Sequence, residues 1–518
     1  MMYIFIFNQF LYNQIMITID FSQRGSRSLT DFLYLQLKER ILEGSLQSNQ
    51  KLPSKRSLSS HLGISVITVQ NAYQQLIDEG YVYSEEKRGY FVTELEAFSS
   101  LQSPKKIQRE KQGEIQQTNS TVNQLFHASD NTKAFNQTGK AEINLQAAHI
   151  HQELFPFSLW ASLMRKVLHE SKKRILSPLP PQGLLELRQA IASYLGTFRN
   201  MKVQPQQVII GAGTEYLYSL ALQLLGRNLR YGVENPGYQK PAQIMTAMGV
   251  NWSPVTMDGS GILLQELEEK QLDAVLVSPA HHFPTGIIMP IKRRQELLAW
   301  ARQGSRFILE DDYDSEFRFT GRPLETLFSL SSTNDSHGQV IYLNTFTKTL
   351  TPSLRISYMV LPWNLVQQFH QQLSFYSCTV SSIEQLTLAR FIQEGYYEKH
   401  LSRRKNHYRN IRDSLLLQLN RSPLVESCTI TGKDSGLHFL LKIKTSCKED
   451  ILKRNLHTEG IQVAFLSQYF HFTDRNQEDV TNTLVISYSA LKKEQIPWLV
   501  TGLHKALNGH EENNFCHP

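Results

Sequence analysis

Cysteine is scarce in these 518 residues: Cys378, Cys428, Cys447 and Cys516 stand far apart, with no CxxC pair. That spacing offers neither a disulfide framework nor a zinc knuckle, and it reads as a reduced, cytoplasmic protein with free thiols and no structural metal. Charge of one sign is also not concentrated. The whole chain carries +7, and between residues 16 and 93 nine Lys/Arg face eight Asp/Glu, a net of +1. Charge alone therefore says nothing about a polyanionic partner, and any such reading must come from the arrangement of residues. Long apolar runs are missing as well. Met1 to Ile15 hold Phe, Ile and Tyr without one charged side chain. They lack the basic leader and small-residue cleavage site of a signal peptide, and Asn and Gln interrupt them too often for a membrane span. Residues 1–15 read as a non-native or disordered extension before Met16.

What is present falls into three textures. Residues 29–92 alternate helical patterns with short turns. From 94 to 140 the chain turns polar and offers too few large apolar residues for a core, so it reads as a flexible linker. Beyond 141, short β-rich runs (Gln207–Ile210, Leu229–Val233, Ala274–Val277, Phe307–Leu309, Val340–Leu343, Ile356–Leu361) alternate with helical segments. That alternation predicts an α/β domain with a mostly parallel sheet, ending near residue 510 before a short tail, 511–518.

The first module, residues 16–93, predicts helix, helix, turn, helix, hairpin. Phe32, Leu33, Leu35, Leu37, Ile41 and Leu42 give a helix over 29–46 one apolar face. Ser54 is placed to cap a short helix that Gly63 ends, and Ser65 to cap a third. In the third, Val69, Ala72, Tyr73, Leu76 and Ile77 face inward while Thr68, Gln70, Asn71 and Gln74 face out. Tyr81–Tyr83 and Gly89–Val92 form a hairpin tipped by Lys87 and Arg88. This order is that of an α+β winged helix-turn-helix, whose third helix enters the major groove while the wing touches backbone or minor groove. The alternative is a small helical domain docked on the larger one. Against it, LPSKRSLSSHLGIS, TVQNAYQQLIDEGY and RGYFV resemble the GntR family nearly end to end. By that resemblance Ser54, Arg56, Ser65, Thr68, Gln70, Lys87, Arg88 and Gly89 form the face toward double-stranded operator DNA. Val66 stands where the family commonly has an arginine. It can touch a thymine methyl but cannot bond guanine, so it bears on the operator sequence.

The second domain carries a constellation. Thr345-Phe346-Thr347-Lys348 is followed by Arg355, and Glu310-Asp311-Asp312-Tyr313 lies upstream. A lysine can form a Schiff base with an aldehyde cofactor, and a carboxylate can keep a pyridine nitrogen protonated. Hydroxyls and an arginine can hold a phosphate. Those are the groups that pyridoxal 5′-phosphate (PLP) requires. Singly, Lys348 reads as a surface lysine and Asp311 as an acidic strand end; the conjunction changes the reading. Asp311 and Tyr313, two apart in an extended segment, share a side. Gly211-Ala212-Gly213-Thr214 lies between a strand and a helix, where backbone N–H groups receive a phosphate. His281 and His282 are adjacent, and their side chains are expected to diverge rather than to share a metal.

In order and spacing, residues 141–510 resemble the α/β fold-type I, aminotransferase-like PLP proteins, with a large mostly parallel sheet subdomain plus a small one. With the first module, almost the whole chain resembles the MocR subfamily of GntR regulators. LFPFSLW, PPQGLLELRQAIASYL, ENPGY, HHFPTG, LEDDYDSEFRF and TFTKTLTPSLRISYMV carry the resemblance. It implies Lys348 as the Schiff-base lysine, Asp311 as partner of the ring nitrogen and Tyr313 of the phenolic oxygen. It also implies Tyr238 as the stacking ring, and Gly213, Thr214, Thr345, Thr347 and Arg355 as phosphate holders. A homodimer is implied too. Two positions depart. Phe283 stands where aminotransferases carry an asparagine, and Val485 where they carry the arginine that grips a substrate carboxylate. Lys240 is a candidate replacement cation. The expectation is a DNA-binding regulator that senses an amine, an amino acid or PLP itself. Its rival is a working aminotransferase with a vestigial DNA module.

Overall fold

The computed structural model describes residues 17–25, 28–85, 88–93, 143–146, 152–319, 324–332, 338–471 and 481–508. The expected extension 1–15, the linker 94–140, Lys87 and the tail 511–518 lie outside the described residues.

In the first module the caps form where the sequence put them. Ser54 accepts a hydrogen bond from the Ser57 N–H at the head of Lys55–Leu62, and Gly63 ends that helix in the left-handed region, φ 66°. Ser65 does the same for Val66–Asp78 through the Thr68 N–H. Each such cap is worth about 1 kcal/mol. The hairpin pairs Val82–Glu85 antiparallel with Gly89–Val92. The first helix departs from expectation. It spans Leu29–Leu42, stops four residues early, and leaves Leu42 exposed. Tyr34 and Lys38, which a hydrophobic count would put outside, are buried instead. Their partner is Glu79, which accepts from the Tyr34 hydroxyl at 2.5 Å and lies 3.6 Å from the Lys38 ammonium.

The large subdomain is an eight-stranded sheet. Its spatial order is Val208–Ala212, Ile356–Val360, Val340–Thr345, Phe307–Asp311, Ala274–Val277, Tyr231–Asn235, Trp252–Asp258, Gly261–Ile262. The run from Val340–Thr345 to Trp252–Asp258 is parallel; Ile356–Val360 is antiparallel to both neighbours. Trp252–Asp258 was not expected as a strand, because Ser253 and Pro254 break its apolar pattern. Burial on both faces makes the other parallel strands legible as continuous apolar runs. The strands' carboxyl ends gather on one edge, so Ala212, Asn235, Val277, Asp311 and Thr345 all deliver the following residue to the same place, where parallel sheets bind ligands.

The small subdomain is a four-stranded antiparallel sheet ordered Cys428–Thr431, His438–Ile443, Thr483–Ser487, Ala464–Phe465. Phe439, Leu441, Leu484, Ile486 and Phe465 pack one face against helices Tyr396–Arg421, Glu449–Thr458 and Ile496–Asn508. By strand alternation, Leu440, Val485 and Ala464 lie on the other face, in register across three strands. Among the described residues no helix is long and apolar enough to cross a membrane.

Candidate cofactor site and DNA-reading face

On the first module, Arg56, Ser65, Gln70, Asn71, Gln74 and Arg88 are exposed on one set of adjoining elements. Ile67 is 70% and Val66 41% exposed at the head of the third helix, an apolar tip suited to thymine methyls. Two expected contacts are partly engaged already. The Thr68 hydroxyl lies 2.8 Å from Ser65 Oγ, and Arg88 is ion-paired with Glu85 and sits over the Phe91 ring. Gly89 takes φ 114°, which keeps the hairpin tip tight against Lys51.

On the sheet edge, Asp311 ends its strand fully inside the protein. One carboxylate oxygen accepts from the Tyr218 hydroxyl at 2.5 Å; the other, Oδ1, has no partner. Burial pushes the Asp311 pKa up, to about 7, against the Tyr218 bond and with help from Asp312 and Asp314. A protonated ring nitrogen facing Oδ1 would both satisfy and ionise it. Tyr313 points its hydroxyl at His281 Nδ1, 3.1 Å away, and that nitrogen also lies 3.1 Å from Asp314 Oδ1. His281 stacks near His438 with ring centroids 4.6 Å apart. Lys348 is half-buried, and desolvation chiefly, with Arg404 adding, holds its amine below the ordinary lysine value while Asp314 opposes. A lysine with a depressed pKa is more often the free, nucleophilic amine.

The expected phosphate cradle converges at the start of the helix Thr214–Leu225. Gly213, at φ 92°, takes a backbone conformation that other residues rarely adopt, and it leaves the Arg355 guanidinium close to the backbone there. Thr347 is half-buried at the edge, and its backbone N–H is held by Thr345 Oγ1 at 3.1 Å. Thr345 itself is buried; it donates to Thr347 Oγ1 and accepts from Ser357, so it positions Thr347 from behind. Glu215 sits between Arg355 (2.5 Å) and Lys240 (2.7 Å). Burial alone would raise Glu215, but the bonds from Lys240, its own backbone and Arg355 bring it to about 2. Lys240, the candidate carboxylate-gripping cation, is thus committed to Glu215. Tyr238 stands at the mouth, 42% exposed and edge-on to Phe283 with centroids 6.2 Å apart.

Residues 143–503 match the family Aminotransferase class I and II, and residues 29–92 match Bacterial regulatory proteins, gntR family. The chain is 38% identical to the HTH-type transcriptional regulator YdeL of Bacillus subtilis, over 83% of this chain and 87% of that one. It is 30% identical to the probable rhizopine catabolism regulatory protein MocR of Rhizobium meliloti, over 85% and 87% respectively. Among solved structures, LysN, an α-aminoadipate aminotransferase of Thermus thermophilus complexed with N-(5′-phosphopyridoxyl)-L-leucine, superposes with a TM-score of 0.60. It is 25% identical and the match covers 71% of this chain and 92% of that one. The chain belongs to the MocR subfamily of GntR regulators.

As a MocR-type protein it joins an operator-DNA-binding module to a domain whose cofactor is pyridoxal 5′-phosphate. The residues present fit that cofactor: Asp311 Oδ1 is an orphaned buried acceptor, and Gly213 at φ 92° opens the helix start beside Arg355. The two histidines diverge, as expected: His282 Nδ1 meets Thr285 at 2.7 Å and its Nε2 lies 3.4 Å from Glu234, away from His281. His281, Asp314 and His438 do bring three possible metal-ligand atoms within 4.8 Å of one another. In this structure His281 Nδ1 bonds Asp314 and Tyr313, His438 Nε2 bonds the Pro284 carbonyl, and His281 Nε2 is left without a partner. Sequence reasoning missed Tyr218, Glu215, Asp314 and His438. Tyr218 was within reach, since it lies one helical turn after Thr214 and so shares its face.

The two modules meet. Glu325 accepts from the Tyr81 hydroxyl at 3.4 Å and pairs with Lys38 at 3.2 Å, while Gly80 packs against Ile291 and Pro290. The Glu325 carbonyl accepts from buried Arg294, which also donates to the Pro279 carbonyl at 2.6 Å, at the head of the loop bearing His281 and Phe283. Next along the chain, Leu327 and Phe328 donate their N–H groups to Glu310, the neighbour of Asp311.

Proposed function

We propose that this chain is a cytoplasmic, homodimeric transcriptional regulator whose operator affinity is set by what occupies the Lys348 site: an amine or amino acid, or PLP itself. The domains behind this reading are 16–93 and 141–510, joined by 94–140. Bound PLP supplies an electrophilic carbon toward primary amines. Around it Lys348 contributes the Schiff-base amine, Asp311 holds the proton on the ring nitrogen, and Tyr313, steadied by His281, bonds the phenolic oxygen. Tyr238 covers the ring. Arg355, Thr347, Thr214 and the Gly213 helix start take the phosphate, with Thr345 behind them. Ser54, Arg56, Ser65, Thr68, Gln70, Lys87, Arg88 and Gly89 face DNA.

The observation that carries the regulatory reading is the bridge from Lys38 and Tyr81 through Glu325 and Arg294 to Pro279, because it ties the DNA module to the loop beside Lys348. A ligand moves DNA affinity only through unequal affinity for two arrangements of these parts. The complete Asp311, Tyr313 and Lys348 set favours a second reading, a turning-over aminotransferase, while Phe283 and Val485 oppose it. Multiple turnovers with an amino donor and a keto acceptor would establish that rival. For the first reading, borohydride reduction of PLP-replete protein followed by peptide mapping should mark Lys348. A mark elsewhere, or none, sinks the assignment.

A further inference from the structure

We infer that the ligand reacting at the Lys348 site is a primary amine carrying an apolar, uncharged substituent, and that Phe283, backed by Val485, selects it by contact. This rests on the PLP reading above. Phe283 lies between Tyr238 on one side and His438 on the other, with centroids 6.2 and 5.0 Å away, and meets Tyr469 edge-on at 5.0 Å. It therefore flanks the space between the expected ring cover and the lysine. Behind it stands the second face of the small sheet, where Leu440, Val485 and Ala464 align across three strands and Leu466 joins them. The first face of that sheet has its own helices; this one, among the described residues, packs on Phe283, Tyr469 and Phe470. Those three rings are half-buried beside a Tyr238 that is 42% exposed, so the apolar surface continues into the cleft and is not closed like a core.

Among the described residues the nearby cations are already engaged: Lys240 is paired with Glu215, and Arg355, also paired with Glu215, is assigned to the phosphate. His438, between Phe283 and His281, is held neutral, first by desolvation and then by His281, though the Pro284 carbonyl opposes. His471, 3.1 Å from the Glu234 carbonyl, is likewise pushed down by burial. An anionic substituent would enter an apolar wall unpaired, whereas an aryl or alkyl one would bury its surface against rings and branched aliphatics.

The experiment uses full-length PLP-loaded protein and two probes that differ by one carboxylate, benzylamine and 4-(aminomethyl)benzoate. Each is titrated while the visible band of the bound cofactor is followed. Benzylamine should shift the band at a concentration about tenfold lower or better. Phe283→Asn should keep the band but lose about tenfold in benzylamine affinity, and Val485→Arg should reverse the order of the two probes. Folding of both variants is checked by operator-DNA binding. A normal band in wild type that the carboxylated probe shifts at equal or lower concentration overturns this inference and leaves the PLP reading standing. A wild-type protein that shows no band on loading overturns the PLP reading, and this inference falls with it.

Discussion

On the third helix of the DNA module, Gln70, Asn71 and Gln74 are exposed to solvent, with Lys55 donating to Gln70 at 3.4 Å and Gln74 to Asp78 at 2.9 Å. Around Lys348 the side chains of Asp311, Tyr218, Thr345, Asp314 and His281 are buried and hydrogen-bonded within the pocket. The first region reads a ligand that brings its own shape and charge, so its residues need only be presented. The second must hold a small, reactive ring in one orientation, so its groups are organised beforehand, at the cost of burying carboxylates. Changes on the reading face should therefore alter binding alone, and changes in the pocket should alter both ligand retention and stability.

The largest effect is expected at Asp311. Replacing it by Ala removes the buried partner of the ring nitrogen, a change on the order of 2–5 kcal/mol in PLP retention. In the full chain, DNA affinity of the cofactor-free protein should stay within about twofold. Dialysis retention and DNA titration on the same preparation check this; parallel loss of both would erase the contrast between the regions. Next comes Gln70→Ala, which should change sequence preference at one base position by about 1–3 kcal/mol and leave PLP retention unchanged. A binding-site selection with wild type and variant reads it, and an unchanged consensus would take Gln70 off the reading face. Arg88→Ala together with Lys87→Ala should weaken operator and scrambled DNA alike, and should flatten the salt slope by roughly one unit for each phosphate no longer neutralised. Because Arg88 is already paired with Glu85, its share should be the smaller. If this double variant binds both DNAs as wild type does, the hairpin is no wing.

A pH effect comes last, because it is read on the cofactor-free protein alone. Burial raises Asp311 to about 7, so cofactor-free native protein keeps a proton there that the unfolded chain releases near pH ~4. That contribution to stability is complete below about pH 4 and is lost as pH climbs through 7. Asp311→Asn does not titrate. The thermal midpoint of the cofactor-free variant should thus gain on wild type between about pH 4 and 7 and level off above. A constant gap would mean that Asp311 is ionised throughout.

Short-range physics was legible in the sequence. Ser54, Gly63 and Ser65 act within four residues of themselves, and the Thr345–Arg355 run sits on one strand end and the turn after it. The sheet's central strands were legible because burial on both faces demands unbroken apolar runs. What stayed hidden depends on distant partners. Tyr34 and Lys38 look like surface residues until Glu79 and Glu325 arrive from distant parts of the chain. Glu215 looks like an ordinary first-turn acid until Arg355 comes from 140 residues on. That Val485 lies in a cross-strand row with Leu440 and Ala464 could not be read from sequence, because the pairing depends on distant strands.

The central claim is that occupancy of the Lys348 site sets DNA affinity through the contact at Glu325. It is tested most directly by titrating a selected DNA site with full-length protein in three states: cofactor-free, PLP-loaded, and PLP-loaded with benzylamine. At least one step between states should change the dissociation constant by about fivefold or more, the lower end of usual coupling energies. That change should shrink in Glu325→Ala and vanish in Lys348→Ala. Equal DNA affinity in all three states of the wild-type protein would contradict the account.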